Sequence, residues 1–128
     1  MSLFKNEIDA LLEKAFKTDE EGFKADLIFG EGFTGFSGHF PNAPVLPGIV
    51  MIQLALMMCE RARGETLNIT CIREAKFTEP VLPGEEITVF LAPPEKIGKG
   101  VAAKAVFFKR DKTAARVSLL LETDRKRP

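Results

Sequence analysis

The chain has 128 residues, a length typical of one domain rather than two. Its 18 basic and 18 acidic residues cancel, which argues against nucleic-acid binding, and 45% hydrophobic residues argue against disorder. Eleven residues are Phe and none is Trp or Tyr, so the chain has many aromatic rings that carry no polar group and favour burial. We expect a binding surface or an oligomer interface to bury some of these rings.

Residues 1–18 predict an amphipathic helix, because their apolar side chains recur at helical spacing. Apolar and polar residues alternate in part over residues 22–29, which predicts a strand. A second short strand is expected around Phe33. The stretch 31–48 is rich in Gly and Pro and predicts a long irregular loop. Residues 49–63 contain no Gly or Pro and are apolar on nearly all faces, which predicts a buried helix.

The remainder of the chain is rich in β-branched and alternating segments, which predict four strands. They are expected within residues 66–80, 81–95, 100–110 and 113–123. One apolar helix followed by antiparallel strands predicts an α+β domain, a sheet wrapped over a central helix. We therefore expect a single domain over 1–128, with a frayed tail at 124–128.

The hydropathy pattern and the N-terminal segment predict a cytoplasmic protein, in which cysteines are kept reduced. No stretch approaches the roughly 20 apolar residues of a membrane span, and the N-terminus lacks the pattern of a signal peptide. Cys59 and Cys71 form no metal-binding spacing with the single histidine, so no metal site is expected. Both cysteines are expected to be free, buried thiols.

The single histidine, His39, lies in the loop rich in Gly and Pro rather than on an apolar face. Gly48 follows at the start of the predicted helix, where backbone N–H groups lack partners and the helix dipole is positive. A carbonyl oxygen held there would be polarised. An imidazole base near such a donor suits proton abstraction next to a carbonyl. The alternative is that His39 only hydrogen-bonds its own loop.

Two segments carry a family resemblance. Residues 38–49, GHFPNAPVLPGI, resemble the signature of the 3-hydroxyacyl-acyl-carrier-protein dehydratases of the hot-dog fold. Residues 76–85, KFTEPVLPGE, are similar to the same family's "FxxPVxPGD" strand and turn. The order and spacing of both segments fit, and the resemblance covers roughly residues 22–122.

The resemblance implies a hot-dog fold, in which an antiparallel sheet wraps a long central helix. It also implies a homodimer with the two sheets joined edge to edge, or a hexamer built as a trimer of dimers. The substrate would be a thioester of acyl-carrier protein or coenzyme A, with its chain in an apolar tunnel between subunits. No cofactor, membrane or nucleic acid would be involved.

The resemblance also implies roles for particular residues. His39 would remove the α-proton of the acyl thioester, and Gly48 would donate its N–H to the thioester carbonyl. The backbone carbonyl of Val45 would orient the histidine. Phe33, Phe36 and Phe40 flank the histidine in sequence. We expect some of them to line the acyl site, with Phe36 and Phe40 as the candidates.

Pro47 completes the predicted substrate site, beside Gly48. The family's acidic residue, which protonates the departing 3-hydroxyl from the partner's helix, would lie fourteen residues after the histidine. Here that position is Gln53. An amide can hydrogen-bond a hydroxyl but cannot supply a proton near neutral pH.

Gln53 leaves alternatives open. The chain could be a non-catalytic subunit that binds acyl thioesters, or a thioesterase in which Gln53 positions a water. Gln53 could also be a core residue paired with backbone. Glu60 follows two turns later, about 10 Å along the helix, and is expected to be a solvated end-of-helix residue. The positions of Glu31 and Glu79 relative to the site are left open.

Acyl-carrier proteins are acidic, so a basic rim would assist docking. Its candidates are Arg61, Arg63, Lys76, Lys96, Lys99, Lys109, Arg110 and Lys112. Phe107 and Phe108 are adjacent on one predicted strand and should face opposite sides. We expect one to pack on the central helix and the other on a neighbouring subunit.

Overall fold

The computed structural model describes residues 3–36 and 44–124. Helix α1 spans Leu3–Ala15 and helix α2 spans Gly48–Arg63, with a 3₁₀ turn at Thr34–Phe36. The strands are β1 Lys17–Asp19, β2 Gly22–Ile28, β3 Leu67–Phe77, β4 Glu86–Leu91, β5 Glu95–Ile97, β6 Gly100–Lys109 and β7 Lys112–Thr123.

Across the described ranges, the seven strands form one antiparallel sheet. Its order is β1-β2-β4-β6-β7-β3, and the short β5 extends the ladder of β6. Helix α2 lies against this sheet and contacts β3, β4, β6 and β7. The predicted α+β architecture, an antiparallel sheet wrapped around a long central helix, is confirmed.

Helix α2 is buried because its sequence is apolar on most faces. It begins after Pro47, whose extended backbone (ψ 148°) provides no side-chain cap. It ends at Gly64, which adopts the left-handed conformation (φ 69°) and donates its N–H to the Glu60 carbonyl at 2.7 Å. Its fully covered side chains are Val50, Met51, Leu54, Ala55, Met57, Met58 and Cys59.

Helix α1 packs through Ile8 and Leu12, both completely buried. At its surface, Arg61 of α2 donates to the carboxylates of Asp9 (2.9 Å) and Glu13 (3.2 Å). Arg61 therefore joins the two helices and is not the free cation expected for a basic rim. Because both carboxylates are largely exposed, we expect each pair to add no more than about 1 kcal/mol.

The strand predicted around Phe33 is wrong. Phe33 donates its N–H to the Gly30 carbonyl at 3.0 Å, and Phe36 donates to the Phe33 carbonyl at 3.1 Å, so the chain turns here. The Phe33 ring packs on Phe29, with centroids 4.6 Å apart. Glycine and aromatic packing together favour this compact turn over an extended pairing.

Among the described strands, β3 pairs with β7 alone and so lies at the edge of the sheet. Two register shifts, between Ile69 and Cys71 and between Ile72 and Glu74, are bulges that keep apolar residues on the side of α2. Ile72 and Phe77 on that side lie opposite buried residues of β7, yet are 48% and 45% exposed. An edge strand with an apolar, uncovered inner face is a site for association.

The two cysteines differ in environment. Cys59 of α2 is completely buried and free, as expected, and burial raises the pKa of its thiol to about 11. Cys71 is free but exposed on the outer side of β3, so its predicted burial is wrong. The bulge beside Cys71 shifts the alternation, and simple counting along the strand therefore assigns the wrong face.

The two adjacent rings of β6 separate as expected. Phe107 is completely buried in the core, whereas Phe108 packs edge-on against Phe90 at 5.8 Å on the other face of the sheet. The contact of Phe108 with a second subunit stays a prediction. At the C-terminus, Asp124 donates its N–H to the Thr66 carbonyl at 2.9 Å, so it is held to the fold; the rest of the predicted frayed tail lies outside the described residues.

Neither of the two α-helices found in residues 3–36 and 44–124 is long and apolar enough to cross a membrane.

Candidate functional site

The two segments that carry the family resemblance meet in the structure. Leu46 donates its N–H to the carbonyl of Val81 at 2.7 Å, which ties the approach to α2 to the loop after β3. A cavity of about 320 Å³, large enough for part of a small ligand, lies between these segments. It is lined by Val45, Leu46, Gly48, Met51, Phe77, Thr78, Glu79 and Pro80.

The first turn of α2 forms one wall of this cavity. Gly48 is the first helical residue, and Val50 donates the first backbone hydrogen bond of the turn to Pro47 at 3.0 Å. The N–H groups of the first turn have no partner within the helix, so Gly48 offers a donor at the positive end of the helix dipole. Such a donor can stabilise negative charge on a carbonyl oxygen.

Phe77 covers this end of the helix. A Cβ atom added to Gly48 would lie 2.7 Å from Cζ and 2.8 Å from Cε2 of the Phe77 ring, closer than carbon atoms approach without displacement. Glycine is therefore needed here for close approach and not for an unusual φ. Sequence reasoning did not single out Phe77, although its place in the second motif was the available signal.

The opposite wall is fixed by strand β7. Thr78 and Glu79 both donate their N–H groups to the carbonyl of Ala114, at 2.8 and 3.2 Å. The Thr78 hydroxyl also donates to the carbonyl of Thr113 at 2.8 Å. These bonds hold the backbone of Glu79 at the cavity, in a place that the sequence alone did not reveal.

The turn of the second motif has a structural role. Gly84 adopts φ 85° and donates its N–H to the Phe29 carbonyl at 2.8 Å. The Glu85 carboxylate accepts the N–H of Leu82 at 2.8 Å and the Nζ of Lys109 at 3.2 Å. The hydrogen bond from the Leu82 N–H lowers the pKa of Glu85 most, and Lys109 lowers it further, so the pKa lies below its usual value. This turn supports the cavity wall without lining it.

Gln53 lies on a different side of α2 from the cavity. Between Ile49 and Glu60, the residues of α2 that are not fully covered are here called the outer stripe: Ile49, Ile52, Gln53, Leu56 and Glu60. Ile49 is 59% exposed although it is apolar. Within one chain Gln53 is half-buried and is not among the residues that line the cavity beside Gly48.

Glu60 is not the solvated residue expected from the sequence. It is partly buried, and its carboxylate accepts the backbone N–H of Leu67 at 2.9 Å. This bond links the end of α2 to the start of β3. A residue with that structural task is not available as an acid for the cavity, which lies at the other end of the helix.

The remaining predicted site residues are distributed as follows. Val45 is half-buried and lines the cavity, and Pro47 precedes the first helical residue. Phe36 is buried in the core, edge-on to Phe33 at 5.7 Å, and is not among the cavity-lining residues. His39 and Phe40 lie outside the described residues.

Within the described part of the chain, no group of three or more His, Cys, Asp and Glu residues is arranged to hold a metal ion. The predicted basic rim is only partly available. Besides Arg61, Arg63 pairs with Glu65 at 2.6 Å, and Lys109 is held by Glu85. The exposed remaining cations are Lys76, Lys96, Lys99, Arg110 and Lys112.

Known proteins resemble this chain in sequence and in fold. The ApeI-like family model, described as ApeI dehydratase, matches residues 15–117. The 3-hydroxyacyl-[acyl-carrier-protein] dehydratase FabZ of Clostridium botulinum is 33% identical over 120 residues, which cover 88% of this chain and 81% of that protein.

Solved structures share the fold at lower sequence identity. A chain of the dehydratase heterocomplex ApeI:P from Xenorhabdus doucetiae superposes with a TM-score of 0.66 at 20% identity, over 80% of this chain and 88% of that chain. The F36A mutant of the fluoroacetyl-CoA-specific thioesterase FlK also superposes with a TM-score of 0.66, at 19% identity, over 84% and 87%. Together with the sheet wrapped around α2 and the two motifs that meet at its N-terminus, the sequence matches show that this chain belongs to the ApeI-like and FabZ-related dehydratase family of the hot-dog fold.

Proposed function

We propose that the protein dehydrates 3-hydroxyacyl thioesters to trans-2-enoyl thioesters, with the acyl group carried by acyl-carrier protein or coenzyme A. The observation that carries the proposal is the cavity between the two motif segments, at the N-terminus of α2. The residues that line the cavity are mostly apolar, which suits an acyl chain. The N-terminus of α2 offers the N–H of Gly48 to a thioester carbonyl. The membership of the family supports the same reaction class.

In this reaction His39 removes a proton from C2 of the substrate. Gly48 donates its N–H to the thioester oxygen, where negative charge develops as the proton leaves. The C2–C3 double bond forms as the C3–O bond breaks, and the departing hydroxyl takes a proton to become water. Loss of one donor to a developing oxyanion typically costs about 10²–10³ in rate. The residues proposed for this site are His39, Gly48, Val45, Pro47 and Phe40, with Gln53 reaching it from the partner. Phe36, which packs in the core beside Phe33, is not one of them.

The acyl site is proposed to be completed by a second copy of the chain. Within the part of the chain that the structure describes, edge strand β3 has a strand partner on one side only, and its inner face exposes Ile72 and Phe77. The outer stripe of α2 exposes Ile49 as well. Antiparallel pairing of β3 with β3 of the partner would cover this apolar surface and satisfy the backbone. The homodimer would also bring Gln53 towards the partner's site; assembly into a hexamer remains a prediction.

The presence of Gln53 leaves two alternative functions to be tested. A chain with an amide where the family has its acid could bind acyl thioesters without dehydrating them, or hydrolyse them with a water held by Gln53. These alternatives differ in product. Dehydration forms an enoyl thioester, hydrolysis releases a free thiol, and a binding subunit forms neither.

The decisive experiment follows the ultraviolet absorbance of the enoyl thioester with 3-hydroxyacyl substrates on both carriers, with a thiol reagent in parallel. We expect the wild type to form the enoyl product and His39→Ala to lose it. The control Glu95→Gln, which changes an exposed carboxylate of β5, should retain the wild-type rate. An inactive wild type together with an active Gln53→Glu variant would refute native dehydration and indicate a degenerate site. Thiol release without absorbance change would indicate a thioesterase.

A further inference from the structure

The proposed dehydration needs a proton donor for the hydroxyl that leaves, and Gln53 cannot be that donor. The second motif carries two acidic side chains, Glu79 and Glu85, and Glu60 lies further away, towards the end of α2. Glu60 is held by the backbone of Leu67, and Glu85 by Leu82 and Lys109, and neither lines the cavity. Glu79 does line it.

We propose that Glu79 is the general acid of the reaction, an assignment that rests on the dehydratase function proposed above. It places the acid in the loop after β3 instead of on the central helix. The base, the carbonyl donor and the acid would then all come from the two motif segments, which the Leu46–Val81 hydrogen bond joins.

The geometry supports this assignment in two ways. The backbone of Glu79 is held by Ala114 of β7, so the carboxylate extends from a fixed point. Glu79 and Gly48 line the same cavity of about 320 Å³, so a thioester bound there would lie beside both residues. No hydrogen bond or ion pair within residues 3–36 and 44–124 engages the Glu79 side chain, which leaves it available to substrate.

The electrostatic surroundings are simple. Among the described residues, the others that line the cavity carry no titratable side chain. Lys109, whose Nζ donates to the carbonyl of Pro80 at 2.6 Å, is a cation that adjoins the same loop, and Glu85 partly neutralises it. Glu79, which carries the one carboxyl group among the described lining residues, can act as one member of an acid–base pair with the imidazole of His39.

The proton balance closes without a further reactant. His39 takes the C2 proton, and the electron pair of the C2–H bond forms the C2–C3 double bond. The C3–O bond breaks with its electron pair on oxygen, and the carboxylic acid of Glu79 gives that oxygen its proton, forming water. The imidazolium and the carboxylate then exchange a proton through solvent, which restores both groups.

The test compares Glu79→Gln, Glu79→Asp and the control Glu95→Gln in the enoyl absorbance assay across pH. We expect Glu79→Gln to lower kcat by about 10²–10⁴-fold and to remove one of the two limbs of the pH profile of kcat. Glu79→Asp should restore part of the rate and the missing limb, while KM changes little. A residue that only shapes the cavity would instead lower kcat by a similar factor at every pH, or raise KM.

The outcomes separate the two proposals. An active wild type whose Glu79→Gln variant keeps both its rate and both limbs would overturn the role of Glu79 and leave the dehydratase function intact. A reduced rate with an unchanged pH profile would also overturn it, because Glu79 would then be structural. A wild type that forms no enoyl product on either carrier would overturn the dehydratase function and this assignment with it.

Discussion

The close contact between Gly48 and Phe77 gives a quantitative test of the cavity. In Gly48→Ala the new Cβ would lie 2.7 Å from the Phe77 ring, whereas ordinary carbon contacts begin at 3.4 Å. The ring must therefore withdraw by about 0.7 Å or rotate away. Overpacking of this kind typically costs about 1–3 kcal/mol.

The expected net effect on stability is smaller than the contact alone suggests. Phe77 is 45% exposed, so its ring can turn outward, and we expect a cost near 1 kcal/mol in the isolated chain. Ala is a better helix former than Gly by up to about 1 kcal/mol, which partly offsets this cost. A double-mutant cycle with Phe77→Ala isolates the contact, and we expect a coupling of about 1 kcal/mol.

The assay is thermal or urea unfolding of the two single variants, the double variant and the wild type, with enoyl formation measured in parallel. Gly32→Ala is the matched control, because a Cβ at Gly32 meets no atom within 4 Å. We expect Gly48→Ala to lose activity, since the displaced ring changes the cavity wall. If the cycle gives no coupling and Gly48→Ala turns over at the wild-type rate, the inferred closure of the helix terminus by Phe77 is incorrect.

Three further results are expected. Burial raises the pKa of Cys59 to about 11, whereas Cys71 is exposed. Near pH 8 a thiol reagent should therefore modify Cys71 alone in the folded monomer, and both thiols after unfolding. Fast modification of Cys59 in the folded protein would contradict its burial. Ile72→Lys places a charge on the apolar face of β3, and sedimentation should show a folded monomer; an unchanged dimer would exclude pairing through this strand. The pKa of Glu85 is lowered on folding, so its contribution is present above the usual carboxyl pKa and is lost as pH falls through the folded value. The difference in unfolding free energy between the wild type and Glu85→Gln should therefore shrink towards acid pH. A difference that does not change with pH would contradict this linkage. Because Glu85 and Lys109 are partly exposed, we expect the difference to be small at any pH.

Much of the fold followed from patterns that act over many residues. Helix α2 was predictable because fifteen residues without Gly or Pro stand between a proline-rich approach and Gly64. The long strands were predictable from alternation, but β1 and β5 were not, because three residues are too few to show a period. The turn around Phe33 was missed since its packing partner, Phe29, is visible only in three dimensions.

The site was predictable to a smaller extent. Gly48 and Val45 follow from one motif, and the structure brings both to the cavity wall. Glu79 could not be assigned from the sequence, because its relation to Gly48 depends on the hydrogen bonds that hold the loop after β3 to β7. The exposure of Cys71 also escaped prediction, since the prediction depended on how often free cysteines are buried, whereas the register shift beside Cys71 places it on the outer face of β3.

The hydrogen bond from Leu46 to Val81 has a consequence for motion. It joins segments that are 35 positions apart, so the approach to α2 cannot open without releasing the loop that carries Glu79. Local opening is therefore expected to be cooperative over both segments, with the Leu46 amide exchanging its hydrogen only in the open form. A ligand that fills the cavity would bind the closed form and slow this exchange, which makes one amide a reporter of occupancy even before any product is identified.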